Sequence, residues 1–104
     1  MNLPADTDVV FVPARPVRDG AEREPAIELR RLADGGEQVA LAFSSVEALV
    51  RTLGPAQPWV GVRMYEFVVW LRTQGVDRIE VDPVYTGDIW RWSADDVRQA
   101  AEEN

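Results

Sequence analysis

Apolar residues recur along this chain in short runs, spaced by two in some segments and by three or four in others, which is the signature of alternating strands and helices. Val9 to Val12 is a continuous apolar run closed by Pro13, as expected of a buried strand. Ala14 to Pro25 mixes charged residues with Gly20 and carries Pro16 and Pro25 near its ends, so it reads as a long solvated loop. Ile27, Leu29 and Arg31 then alternate with Glu28, Arg30 and Leu32. Asp34-Gly35-Gly36 tolerates positive φ, and Gln38 to Phe43 resumes with Val39, Leu41 and Phe43 on one side, which predicts a hairpin.

Ser44-x-x-Glu47 matches a capping box, and Val46, Leu49, Val50 and Leu53 form one helical stripe that Gly54-Pro55 ends. Trp59 to Arg63 reads as a strand with Val60 and Val62 inward. Met64 to Gln74 reads as a helix with Met64, Phe67, Val68 and Leu71 on one face and Gly75 beyond its end. Asp77 to Asp82 alternates as a strand that Pro83 closes, Val84 to Trp92 is an aromatic-rich ordered loop, and Ser93 to Asp96 opens a thin, peripheral last helix. The expected architecture is α/β (α+β): one domain over residues 1–104, a mixed sheet of about five strands, two core helices and a short C-terminal helix.

Composition narrows the chemistry. The chain has 104 residues, formal charge −7, no Cys and no His, and all 11 of its basic residues are Arg. Thiolate nucleophiles, imidazole bases and lysine amines are therefore unavailable. The acidic balance and scattered arginines argue against binding a phosphate backbone. Arg in place of Lys fits GC-rich codons. The start of the chain lacks the basic, apolar pattern of a signal peptide, and no apolar run approaches the ~20 residues that span a bilayer. A cytoplasmic protein is expected.

Ser44 and Ser45 lack a partner base, and helix capping accounts for at least one of them. Glu80 and Asp82 share a strand face, which admits a carboxylate acid/base or hard-cation site, but a solvated strand face is the favoured reading, and neither metal nor cofactor is expected. Tyr65 and Val69 share a ridge of the second helix away from its Phe67/Leu71 face, so that helix is either sandwiched inside the domain or shows a ridge to a partner. Trp90-Arg91-Trp92, with Tyr85 upstream, combines the residue types that dominate binding hot spots, while a hydrophobic cover over one end of the sheet is the simpler role.

The strand, Asp34-Gly35 turn and strand, then Phe43-Ser44-Ser45 opening a helix, Gly54-Pro55-Ala56-Gln57-Pro58-Trp59, and Val81-Asp82-Pro83 after a glycine-terminated helix together resemble the N-terminal domain of the SseB family. The closest likeness is to its small single-domain actinobacterial members, over roughly Val9 to Pro83. The resemblance implies a compact α/β module, brings no catalytic residues, and favours binding over catalysis. The resulting expectation is a non-enzymatic module that binds a protein, as a regulatory or secretion-associated factor, through Tyr85, Trp90, Arg91 and Trp92, with Tyr65 and Val69 second. A homodimer through either cluster is a further option. Two alternatives stand beside it: an immunity protein that neutralises a basic toxin, and a small-ligand protein or enzyme relying on carboxylates alone.

Overall fold

A computed structural model describes residues 4–16, 26–31, 37–84 and 91–103, without the side chains of Arg31 and Glu103. Eight elements follow in order: β1 Val9–Pro13, β2 Arg30–Arg31, β3 Gln38–Ala42, α1 Val46–Leu53, β4 Trp59–Arg63, α2 Met64–Thr73, β5 Ile79–Val81 and α3 Ala94–Glu103. The class is mixed α and β, as expected.

The sheet departs from expectation. The five strands do not form one sheet but two: β1 pairs antiparallel with β4, and β3 lies between antiparallel β2 and parallel β5. Isolated antiparallel bridges, Phe11 with Phe43 and Ala14 with Ile27, join the two. The reason is directional. β1 is antiparallel to the chain at both bridges, while β2 is antiparallel to β3. Three mutually antiparallel directions cannot lie in one flat sheet, so the strands bend at this junction and the ladder breaks. The expected hairpin is accordingly short, a two-residue pairing of Arg30 with Val39 and Arg31 with Gln38. Its Asp34-Gly35-Gly36 turn lies outside the described residues.

β3 is the centre of the core. Val39, Leu41 and Phe43 pack with Leu49 and Leu53 of α1, while Ala40 and Ala42 face Val10, Val12 and the Phe67 and Leu71 side of α2. Sequence alternation placed the first set on one face but overlooked that the two alanines bury the other. Pro13 fits within β1 because the ladder needs no donor from it there. Ala14 N–H bonds Pro58 O and Met64 N–H bonds Asp8 O, so even-numbered residues of β1 face β4. The odd-numbered ones face the other way: Phe11 exchanges two bonds of 2.8 Å with Phe43, and Pro13 only accepts, from Glu28 N–H.

The helix ends differ in detail from the sequence signals. The cap of α1 is Ser45, whose hydroxyl accepts from Ala48 N–H at 3.1 Å, and not Ser44 of the expected box. Ser44 instead donates its N–H and hydroxyl to the two carboxylate oxygens of Asp82, each at 2.8 Å. That bond takes Asp82 out of the proposed strand-face pair, since β5 ends at Val81 and Asp82 sits at φ 49°. A reciprocal box does form at α3, where Ser93 Oγ accepts from Asp96 N–H at 3.0 Å and Asp96 accepts from Ser93 N–H at 3.5 Å. α2 follows β4 with no loop, and its first free amides, Met64 and Tyr65, are satisfied by the backbone carbonyls of Asp8 and Asp6. Its other end is a Schellman turn around Gly75 at φ 72°, with Val76 N–H reaching Leu71 O and Gly75 N–H reaching Arg72 O.

Two glycines make a contrasting pair. Gly54 ends α1 at φ 93°, and a Cβ there would stand 3.4 Å from Arg91 Cδ. Gly61 has no such backbone constraint, and an added Cβ would meet Val9 and Phe11 side chains at 3.4–3.7 Å, at ordinary packing distance. Gly54→Ala is expected to lower unfolding free energy by about 1–2 kcal/mol, whereas Gly61→Ala stays within about 0.5 kcal/mol of the parent. Urea denaturation of the two variants checks the contrast.

Candidate functional site

The aromatic segment that the sequence marks is divided by the structure. Tyr85 and Trp90 lie outside the described residues. Arg91 and Trp92 are described, and both reach back to the body of the domain. Arg91 Nε donates to Thr52 O at 3.1 Å, placing a cation on the carbonyl end of α1, where the helix dipole favours it. Thr52 Oγ1 in turn donates to Pro83 O at 3.0 Å.

Trp92 is half-buried, and its indole Nε1 donates to Glu28 Oε2 at 2.7 Å. Glu28 is almost buried and forms an ion pair with Arg30, Nε to Oε1 at 2.8 Å. Arg30 also donates to Gln57 Oε1 at 3.1 Å, and buried Gln57 donates to Pro58 O at 2.8 Å. A chain of polar contacts thus runs from the last described segment through β2 to the start of β4. Each buried charge finds an opposite charge or a hydrogen bond, which is the condition under which such groups are tolerated inside a protein. Trp92 and Arg91 therefore make contacts within the chain, the first as a partly covered ring and the second as an exposed cap.

The other predicted pair lies on α2. Tyr65 and Val69 are 45% and 57% exposed, so the helix is not sandwiched along that ridge. Trp70, on the opposite border, stacks on Phe67 with ring centroids 6.5 Å apart. Trp59, in the strand that leads directly into α2, is 42% exposed and meets Phe11 edge to face at 5.5 Å. Sequence reasoning left Trp59 as a strand residue, although an exposed-side tryptophan two positions before Gly61 was a readable signal for a surface site.

Between β4 and α2 lies an open cleft of about 410 Å³. Ile27, Val60, Val62, Phe67 and Trp70 line it, with Glu66 as the single charged lining residue among the described residues. Glu66 accepts from Tyr65 Oη at 3.3 Å and makes no ion pair among the described residues.

The carboxylates weighed as a catalytic pair are otherwise engaged. Glu80 pairs with Arg78 at 3.3 Å, and Asp82 holds Ser44. Among the described residues no group of three or more His, Cys, Asp or Glu gathers as a metal site, and no helix is long and apolar enough to cross a membrane. Comparison with known proteins found no matching family model, no matching curated protein and no matching solved structure. The SseB resemblance thus rests on its turn, cap and strand-end motifs.

Trp92→Phe keeps an aromatic ring but removes the donor to Glu28. Leaving that nearly buried carboxylate short of a partner is expected to cost about 1–3 kcal/mol, read as a lower urea midpoint with an unchanged m-value. A midpoint equal to the parent's would show that the indole bond does not hold the segment down.

Proposed function

We infer that this chain is a non-enzymatic, cytoplasmic protein-binding module, and that its docking face is the β4–α2 unit rather than the tryptophan-arginine segment. The observation that carries this reading is the set of large apolar side chains left open on one short stretch of chain, Trp59, Tyr65 and Val69, carried by the two elements that frame an apolar cleft. Isolated exposed apolar residues need no explanation, but a tryptophan and a tyrosine next to a concave apolar surface are the usual anchors of an interface. Arg91 and Trp92 serve the reading indirectly, because their bonds to Thr52 and Glu28 fix the fold that presents this face.

The formal charge of −7 favours a partner with a basic surface, since opposite charge speeds encounter and discourages wrong partners. A regulatory or secretion-associated accessory factor and an immunity protein against a basic toxin both fit that charge. A toxin gene beside this one would favour the second.

Crosslinking and affinity capture of the native chain, followed by titration of the partner so identified, tests the reading. Trp59→Ala and Tyr65→Ala are each expected to weaken binding about tenfold or more, as loss of an interface anchor does. Circular dichroism melts should stay within a few degrees of the parent, because both side chains are substantially exposed. Unchanged affinity in both variants would remove the β4–α2 face from the interface.

A further inference from the structure

Among the described residues β4 is an edge strand that pairs with β1 alone, and the bonds Ala14 N–H to Pro58 O and Met64 N–H to Asp8 O fix which of its residues face that partner. Alternation then assigns Val60 and Val62 to β1 and turns the N–H and C=O of Trp59 and Gly61 outward. None of the described residues bonds to these outward groups. Natural proteins ordinarily blunt such edges with proline, inward charges or a covering element. Here the five residues Trp-Val-Gly-Val-Arg carry one charge, at Arg63, and the cleft opens alongside.

We propose that this edge binds an extended segment of a partner protein by strand addition, and that the segment is apolar at alternate positions and carries a basic residue for Glu66. The proposal rests on the protein-binding reading and gives it a chemistry. A strand laid against β4 would take its main-chain bonds from Trp59 and Gly61 and send every second side chain into the cleft of Val60, Val62, Phe67 and Trp70. The intervening side chains would lie over Gly61, where the absence of a side chain leaves Phe11 and Trp59 as an aromatic floor.

Charge selects the occupant. Glu66 is the one charged residue lining the cleft, is exposed, and has only the 3.3 Å bond from Tyr65 Oη among described residues. A second copy of this chain would bring another Glu66 and another −7 to the contact, whereas a basic, apolar segment brings the complement.

The test uses the full chain and labelled seven-residue peptides of alternating Val and Thr with one terminal Arg, titrated by fluorescence anisotropy while amide spectra follow the protein. Saturable binding is expected, with the largest amide shifts at Trp59, Gly61 and Arg63. Changing the peptide Arg to Glu should weaken binding about tenfold, and Glu66→Arg should reverse that preference. N-methylating one alternate set of peptide nitrogens should weaken binding at least tenfold, while methylating the other set should not, because only one set faces the edge.

No saturable binding, shifts centred away from β4, indifference to peptide charge, or equal effects of the two methylation patterns would each overturn the proposal. So would light scattering that shows a dimer of this chain which the peptide dissociates, since the edge would then belong to a second copy. Gly61→Pro removes an outward N–H without touching the β1 ladder, and the methylated peptides carry the same test should that variant not fold. A native partner still captured at full strength by Glu66→Arg and Gly61→Pro would leave the protein-binding reading standing and remove this site alone. Failure to capture any partner, with peptides still binding at β4, would do the reverse.

Discussion

The burial of β3 on both faces constrains everything around it. Val39, Leu41 and Phe43 are large and meet α1, while Ala40 and Ala42 are small and meet the side of α2. Small residues on one face let that helix and Val10 and Val12 of β1 close in, and large ones on the other fill the wider gap under a two-turn helix. With both faces used, β3 has only its two edges left for pairing: β5 takes one along Ala40 to Ala42, and β2 takes only Gln38 and Val39 of the other. β1 meets that second edge at the isolated bridge of Phe11 with Phe43 and pairs with β4 in a separate sheet.

Much of this was legible along the chain, and what was missed shares a physical cause. Periodicity identified α1, α2, β4 and β5 through one-sided apolar patterns, and β1 through a continuous apolar run that Pro13 closes. Glycine signals at Gly54 and Gly75 were read correctly, since positive φ is a local demand. The misplaced cap shows the limit. Ser44 and Ser45 are both competent caps, and the choice fell to Ser45 because Asp82, 38 residues away, claims Ser44. The start of α2 at Met64 was read correctly, but its cap was opaque for the same reason, as its first amides are satisfied by carbonyls of Asp6 and Asp8 far upstream. Division of the sheet depends on bridges between Phe11 and Phe43 and between Ala14 and Ile27, which leave no periodic trace.

The candidate site was half legible. The aromatic surplus was real, but composition does not say which tryptophans are committed to the fold. Trp92 is committed through Glu28, a residue that reads as ordinary strand-face polarity until Arg30 and Gln57 are seen beside it. Trp59 was read only as the first residue of a strand whose Val60 and Val62 point inward, and was given no surface role. Its exposure follows from the register with Pro13, which puts its side chain on the outer face at the rim of the β1–β4 pair. Tyr65 and Val69 were placed correctly as a ridge, and among the described residues no layer beyond α2 covers them.

Thr52 holds Pro83 with its hydroxyl and Arg91 with its carbonyl, so residues 83 and 91 are fastened to the same turn of α1. The ends of the intervening stretch are therefore fixed in space irrespective of what lies between them. One threonine on α1 thus anchors two points of the chain that are eight positions apart, so a change at Thr52 is felt at both Pro83 and Arg91 at once.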